Sequence, residues 1–321
     1  MLANPQLERE LSDFIVACAE GGDSDLHLEP LVDGAQWRGR YLGSLAHRQY
    51  LSSAQAIRTV AAIKTAAGMD TTERRLPQDG RLSIQSKTTR VDCRVNTLAT
   101  LHGEKIVIRL QIMGEQALPL QQLGLLPEQY HTVLEELSKR EGLVLVTGPT
   151  GSGKTRTLYA MLQHLNAGEM NICTVEDPVE IALPGINQVP IRAHVGLTFA
   201  TALRAMLRQD PDVLMIGEIR DQETALIACQ AAQTGHLVFA TLHASSPLAA
   251  IIRLQQLSVQ PNQLAACLNL LINQRLCVVN DKRVGVFDLR LGDGSLQQAL
   301  LSDMHHIDRC LQQPSADVVG T

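Results

Sequence analysis

One stretch limits what this chain can fold into more than any other: Gly148-Pro149-Thr150-Gly151-Ser152-Gly153-Lys154-Thr155. It fits the phosphate-loop pattern of a glycine, four residues, a second glycine, a lysine and a hydroxyl residue. The pattern works through the backbone. Glycines let the chain curl until its N–H groups point at one anion. Lys154 can then reach the terminal phosphates, and the hydroxyl of Thr155 can hold Mg²⁺. The flanks agree. Residues 142–147 are an apolar run that predicts a buried strand, and residues 156–165 predict a helix whose positive end faces the phosphates. In a parallel sheet, ligands sit outside the C-terminal strand ends, which is where this loop falls.

Composition narrows the choice of partner. With 321 residues the chain has room for two domains. A net charge of −5 and an aromatic content of 3% argue against an electrostatic tracker of DNA and against base-stacking platforms, so no nucleic acid is expected. No apolar run is long enough to cross a membrane. Met1-Leu2-Ala3-Asn4-Pro5 has no basic stretch followed by an apolar core, so a cytoplasmic location is expected. The seven cysteines are scattered, with no Cys-x-x-Cys pair, and read as buried free thiols rather than a disulfide or zinc framework.

Along the chain, residues 6–20 carry Leu7, Leu11, Phe14, Ile15 and Cys18 on one helical face, and Gly21-Gly22 ends that helix. Short strands are expected near Leu26 and Leu28, over residues 36–42, 82–84, 91–95 and 105–110. A helix is expected over residues 52–67 with Ile57, Val60, Ala61 and Ile63 inward. Residues 1–110 therefore form a small α+β domain. Residues 111–127, with Gly114, Pro119, Gly124 and Pro127, read as the interdomain linker. From residue 128 to residue 321 strands and helices alternate, which predicts a parallel sheet covered on both faces. Strands are expected at residues 143–147, 172–176, 213–216 and 237–241. Helices are expected at 128–140, 154–165, 199–208, 223–233 and 247–257. A C-terminal helical part follows: residues 263–276 are apolar at helical spacing, 284–291 look like a strand, and 302–311 suggest a helix. The tail from Pro314 reads as mobile.

Three clusters could carry chemistry. Glu218 emerges after the apolar run 213–216, where a carboxylate either orients Mg²⁺ and the attacking water or simply pairs with Arg220. Glu176, Asp177 and Glu180 follow another strand end; they either hold Mg²⁺ through water or form a solvated acidic turn. His236 and His243 bracket a third buried strand. His243 is at the phosphate end and suits a γ-phosphate sensor. In the first domain Arg94 and Arg109 lie in strand-like segments, where a charge needs a partner.

These blocks, in this order, resemble the secretion ATPases of type II secretion and type IV pilus assembly. The phosphate loop, Glu176-Asp177-Pro178-Val179-Glu180, the segment from Leu207 to Asp212 with Gly217-Glu218-Ile219-Arg220-Asp221, and Thr234-Gly235-His236 with Thr241-Leu242-His243 match that family's phosphate loop, Asp box, Walker B box and His box. Upstream, Ser24-Asp25-Leu26-His27-Leu28-Glu29-Pro30, Arg74-Arg75-Leu76-Pro77-Gln78-Asp79-Gly80-Arg81 and Arg94-Val95-Asn96-Thr97-Leu98 are also similar.

The resemblance implies a RecA-like P-loop NTPase motor domain with a smaller N-terminal PAS-like α+β domain, assembled as a homohexamer. ATP would bind between the domains, with residues 111–127 as hinge. It implies that Gly148, Pro149, Thr150, Gly151, Ser152, Gly153, Lys154 and Thr155 bind the nucleotide, with Thr155 on Mg²⁺. Glu218 would be the catalytic carboxylate, with Glu176, Asp177 and Glu180 as acidic box and His236 and His243 as His box. Arg94 and Arg109 would reach the γ-phosphate. It further implies peripheral attachment at the inner membrane through a platform protein. Assembly is expected over retraction. An ATP-binding ring subunit with little turnover and a DNA-translocating motor are the rivals of other classes.

The segment after Gln274-Arg275-Leu276 runs Cys277-Val278-Val279-Asn280-Asp281-Lys282, with no room for the family's tetracysteine module, so no zinc site is expected. The additional N-terminal domain of larger members is also missing from the pattern, which suggests a compact member.

Overall fold

Alternation of apolar and polar residues builds the first sheet. A computed structural model of the chain describes residues 5–86, 89–113, 117–279, 282–302 and 304–312. The tail from Pro314 lies outside the described residues. The chain divides into two units, Met1–Glu115 and Gln116–Thr321.

The first unit runs α1 (Pro5–Glu20), β1 (Asp23–Leu31), β2 (Gly34–Tyr41), β3 (Ser44–Ser52), α2 (Ser53–Ala66), β4 (Gln78–Gln85), β5 (Arg90–Thr100) and β6 (Gly103–Met113). Among the described residues its sheet has the order β3-β2-β1-β6-β5-β4, with antiparallel neighbours throughout. Successive side chains of a strand point to opposite faces. Leu26, Leu28, Val91, Cys93, Val95, Ile106 and Ile108 therefore share one face, which packs with Ile15, Trp37 and Ile63 into a core. The opposite face is charged. Glu29 bonds Arg38 and Lys105 there, and Asp25 bonds Arg109. The hydrogen bonds from Arg38 lead in holding the Glu29 carboxyl down to about 2.

Helix α2 begins at a capping box in which Ser52 and Gln55 satisfy each other's backbone N–H groups. Its inward face differs from the expected one. Ile57 is 60% exposed and Ala61 is exposed, whereas Thr59, Ala62, Ile63 and Lys64 are buried. An ion pair turns the helix this way: Lys64 Nζ lies 2.7 Å from Glu104 Oε1 and also donates to the carbonyl of Glu73. A buried charge needs its partner. Lys64→Met leaves Glu104 buried and uncompensated, and is expected to cost about 3–5 kcal/mol in urea unfolding. The double variant with Glu104→Leu should recover most of that loss.

The second unit runs α3 (Pro127–Leu137), β7 (Gly142–Thr147), α4 (Lys154–Leu165), β8 (Ile172–Glu176), β9 (Asn187–Pro190), α5 (Phe199–Met206), β10 (Val213–Ile216), α6 (Gln222–Ala232), β11 (Leu237–Leu242), α7 (Pro247–Gln256), α8 (Pro261–Cys267), β12 (Leu268–Val279), β13 (Lys282–Leu291), α9 (Gly294–Leu300) and α10 (Met304–Gln312). Among the described residues the sheet order is β13-β12-β7-β11-β10-β8-β9, parallel except for β13 at its edge. Leu143 and Leu145 face one core, Val144 and Val146 the other, so both faces of the sheet are covered.

Two expectations need correction. The run 263–276 is not one helix: α8 stops at Cys267, and β12 continues from Leu268 beside β7. The C-terminal part is thus a hairpin of strands followed by α9 and α10, not wholly helical. Apolar side chains on both faces of an interior strand mimic helical spacing, which explains the misreading. Residues 117–123 do not behave as a free linker either. Ala117, Leu120 and Leu123 are buried in the core of the second unit, and a 3-10 turn spans Leu120–Gln122. Gly124 supports this packing. It adopts φ +89° and approaches the backbone of Gly285 on β13, where a side chain would meet Leu123 O and the Phe287 ring.

Candidate functional site

Parallel strands in register bring the motif residues to one edge. Leu242 pairs with Thr147 and Ile216 with both Ala240 and Val175, so β7, β11, β10 and β8 end together. The residues that follow them are Gly148, His243, Gly217 and Asp177. Lys154, Thr155, Glu176, Asp177, Glu180, Glu218 and His243 line one cavity of about 640 Å³.

The phosphate loop joins β7 to α4 and takes its shape from three glycines. Gly148, Gly151 and Gly153 have φ of +146°, +78° and +90°, conformations that disfavour any side chain. At Gly148 a Cβ would stand 2.1 Å from Gln274 O, and at Gly153 it would stand 2.9 Å from Gln274 Nε2. Lys154 curls back over the loop, and its Nζ donates to Gly148 O and Pro149 O at 2.9 Å each. Burial holds its ammonium below the ordinary lysine pKa, against the pull of Glu218. Ser152 Oγ is buried and has no protein partner among the described residues. A curled backbone, an ammonium held by weakly basic carbonyls and an orphaned hydroxyl together fit a polyphosphate. Thr155 lies in the first turn of α4 beside them, where its hydroxyl suits Mg²⁺.

Facing the loop, Glu218 is mostly shielded, with 14% of its side chain exposed. Its carboxylate pairs with Arg220 and lies 3.6 Å from His243 Nε2. Burial first, and then the charges of Lys154 and Arg220, hold the His243 imidazole below its ordinary pKa; Glu218 pulls the other way. These influences favour the neutral imidazole, which can donate one hydrogen bond and accept another. Gly217 lets the strand ends close, because its N–H bonds Val175 O at 2.8 Å and a larger residue would press on Glu176.

The remaining motif residues divide. Asp177 and Glu180 are exposed to the cavity, but Glu176 is only 2% exposed. His236 lies at the opposite end of β11, where its Nδ1 is 3.1 Å from Ala231 O. It does not line the cavity. Arg94 and Arg109 belong to the first unit and stand directly opposite each other on β5 and β6. Cys277 is exposed on β12, and Asn280 and Asp281 lie outside the described residues.

Sequence reading missed three residues of this site. Gln274 on β12 accepts from Thr157 Oγ1 at 2.7 Å and walls the loop. Asn273 donates to Thr147 Oγ1 at 2.9 Å. Tyr159 on α4 bonds Glu176. A polar pair inside the apolar run 268–276 was the available signal for the first two. An apolar helix position gave none for Tyr159.

The family model described as "Type II/IV secretion system protein" matches residues 3–310. The chain is 49% identical over 266 residues to a protein transport protein HofB homolog of Escherichia coli K12, covering 83% of this chain and 58% of that one. It is 48% identical over 269 residues to the type IV pilus assembly ATPase PilB of Pseudomonas aeruginosa, covering 84% and 48%. It thus spans about half the length of the curated relatives it matches. The crystal structure of the pilus retraction motor PilT with bound ADP superposes with a TM-score of 0.67 at 29% identity, covering 94% of this chain and 87% of that one. The second unit is therefore a RecA-like P-loop fold, and the chain belongs to the type II/IV secretion system protein family.

Proposed function

We propose that the chain is an ATPase whose ATP hydrolysis drives assembly of a type IV pilus, a pseudopilus or a type II secretion apparatus. One observation carries this reading: a phosphate loop, a strand-end carboxylate and an acidic loop open into a single cavity. Backbone N–H groups of residues 150–155 bind the phosphates, and Lys154 exchanges its carbonyl partners for phosphate oxygens. Thr155, with the acidic loop nearby, would hold Mg²⁺, which would supply charge neutralisation at the phosphate oxygens. Glu218 orients and deprotonates the attacking water. His243, whose Nε2 lies 3.6 Å from the Glu218 carboxylate, reads the γ-phosphate, while His236 braces the turn between α6 and β11. Arg94 and Arg109 stabilise charge that develops on the transferred phosphoryl group.

The working form is a homohexamer held at the inner membrane by a platform protein, cytoplasmic and peripheral. The curated relatives at 44–48% identity include type IV pilus assembly ATPases of three organisms, which supports assembly.

The deciding experiment is Mg²⁺-dependent ATP turnover by the purified chain, with and without DNA or vesicles carrying an acidic lipid and the cognate platform protein. Turnover stimulated by the vesicles and not by DNA is expected. Stimulation by DNA alone, or no turnover in any condition, overturns the reading. Gly148→Ala tests the cradle directly. Because its Cβ has no room beside Gln274 O, nucleotide affinity is expected to fall at least about tenfold in equilibrium titration, with a lower melting temperature.

A further inference from the structure

The acidic loop that follows β8 is held from beneath. Glu176 closes the strand at the wall of the cavity, yet it is only 2% exposed. Thr174 Oγ1 donates to Glu176 Oε1, and Gln188 Nε2 donates to the same oxygen at 3.1 Å. The hydroxyl of Tyr159 donates to Oε2. Both carboxylate oxygens are thus engaged by interior donors.

Tyr159 is itself fully buried, at 0% exposure, and lies one turn of α4 beyond Lys154 and Thr155. Its oxygen also accepts from the backbone N–H of Glu180 at 3.1 Å. Gln188 completes the support by donating to Ile181 O at 3.0 Å and accepting from Leu183 N–H at 2.7 Å. Burial and the neighbouring Glu176 charge push the Tyr159 phenol well above its ordinary pKa, so it remains a donor at physiological pH. One hydroxyl therefore ties together the helix that bears Lys154 and Thr155, the end of β8, and the loop that bears Asp177 and Glu180.

We propose that Tyr159 is a positioning residue for phosphoryl transfer. Through the buried Glu176 carboxylate and the Glu180 amide it fixes Asp177 and Glu180 relative to Lys154 and Thr155. Glu176 is then an anchor for the loop and not a ligand of nucleotide or metal. The proposal rests on the ATPase reading and adds to it where the acidic loop gets its precision. Catalysis that works by placement is sensitive to such supports: misplacing a reacting geometry by 1 Å costs on the order of 10²-fold. Hydrogen bonds in a buried polar network also reinforce one another, so losing one member loosens the rest.

Tyr159→Phe keeps the ring in the core and removes only the bridging oxygen. In the full-length chain, kcat is expected to fall at least about tenfold, while KM and the affinity for Mg–ADP stay within about twofold, because the phosphate loop is untouched. Hydrogen exchange at the Glu180 amide is expected to quicken at least about tenfold, with β8 and α4 unchanged. Glu176→Gln, measured alone and combined with Tyr159→Phe, completes a double-mutant cycle. If the two residues act as one unit, the double variant is no slower than the worse single variant. Were Tyr159→Phe not to fold, Glu176→Gln alone should give the same loss of kcat at constant affinity. A kcat within twofold of the parent in a folded Tyr159→Phe protein, multiplying effects in the cycle, or a KM that rises in step with the loss of kcat overturns the proposal. A parent chain with no ATP turnover would instead sink the ATPase reading. The Glu180 exchange would still decide between a tethered loop and an independent one.

Discussion

Glu218→Gln is expected to lower ATP turnover by about 10³-fold while leaving ADP and ATP affinity within about twofold. Proton transfer by a placed carboxylate contributes roughly 10²–10⁴-fold in enzymes, and the amide of Gln cannot supply it. The substitution is nearly isosteric. It follows β10 and Gly217, whose backbone bonds to Val175 O and whose carbonyl accepts from Thr241 Oγ1 hold this position whatever side chain it bears. On the proposed reading binding rests on the loop glycines and Lys154, so it should survive. Arg220 loses its charged partner and His243 loses a neighbouring anion. Both are half exposed or more, so water compensates and stability should change by less than about 1 kcal/mol. Single-turnover hydrolysis at saturating ATP, with equilibrium binding of a fluorescent nucleotide on the same sample, separates the two effects. Turnover within threefold of the parent would move the catalytic assignment to Asp177 or Glu180. A parent as slow as the variant would support a nucleotide-binding ring subunit instead.

Much of this site is legible in the amino-acid sequence because its residues come in contiguous blocks at strand ends. The apolar runs of β7, β8, β10 and β11 are bounded by polar or glycine positions, so their limits and the residues after them could be read almost to the position. Lys154, Asp177, Glu218 and His243 then had to meet, since parallel strands end on one side. What could not be read depends on partners far along the chain. Gln274 walls the phosphate loop only because β12 pairs with β7, a neighbourhood that no local pattern reveals. Tyr159 looks like an ordinary core residue until Glu176 is placed beside it. Glu176 itself looks like its neighbours Asp177 and Glu180, and only burial separates them. Residues 117–123 show the same limit. Pro119 and Gly124 mark breaks in regular structure, which is not the same as exposure, and Leu120 and Leu123 between them are core.

Arg94→Ala is expected to reduce turnover by about 10³-fold, comparable with the lower end of what an arginine finger supplies to phosphoryl transfer. Register makes the case for a ligand here. Arg81, Arg94 and Arg109 stand side by side on β4, β5 and β6, and like charges directly opposite one another on neighbouring strands destabilise a sheet. Arg109 is relieved by Asp25 at 3.2 Å. Arg94 is exposed and has no hydrogen bond or ion pair among the described residues. An anion brought to this row would offset the repulsion, which is what a γ-phosphate would do. Removing Arg94 should leave the first unit at least as stable, within about 0.5 kcal/mol by denaturant titration. Arg109→Ala is the less clean test, since it leaves Asp25 without its cation. The discriminating measurement is the ratio of ATP to ADP affinity. If Arg94 serves as proposed, Arg94→Ala should lower it, because only ATP carries the γ-phosphate. Arg94→Lys should restore the charge without the planar fork, and so recover affinity more than turnover. A variant that hydrolyses ATP within threefold of the parent would leave Arg94 as a surface residue, and the row of arginines would then need another anion to explain it.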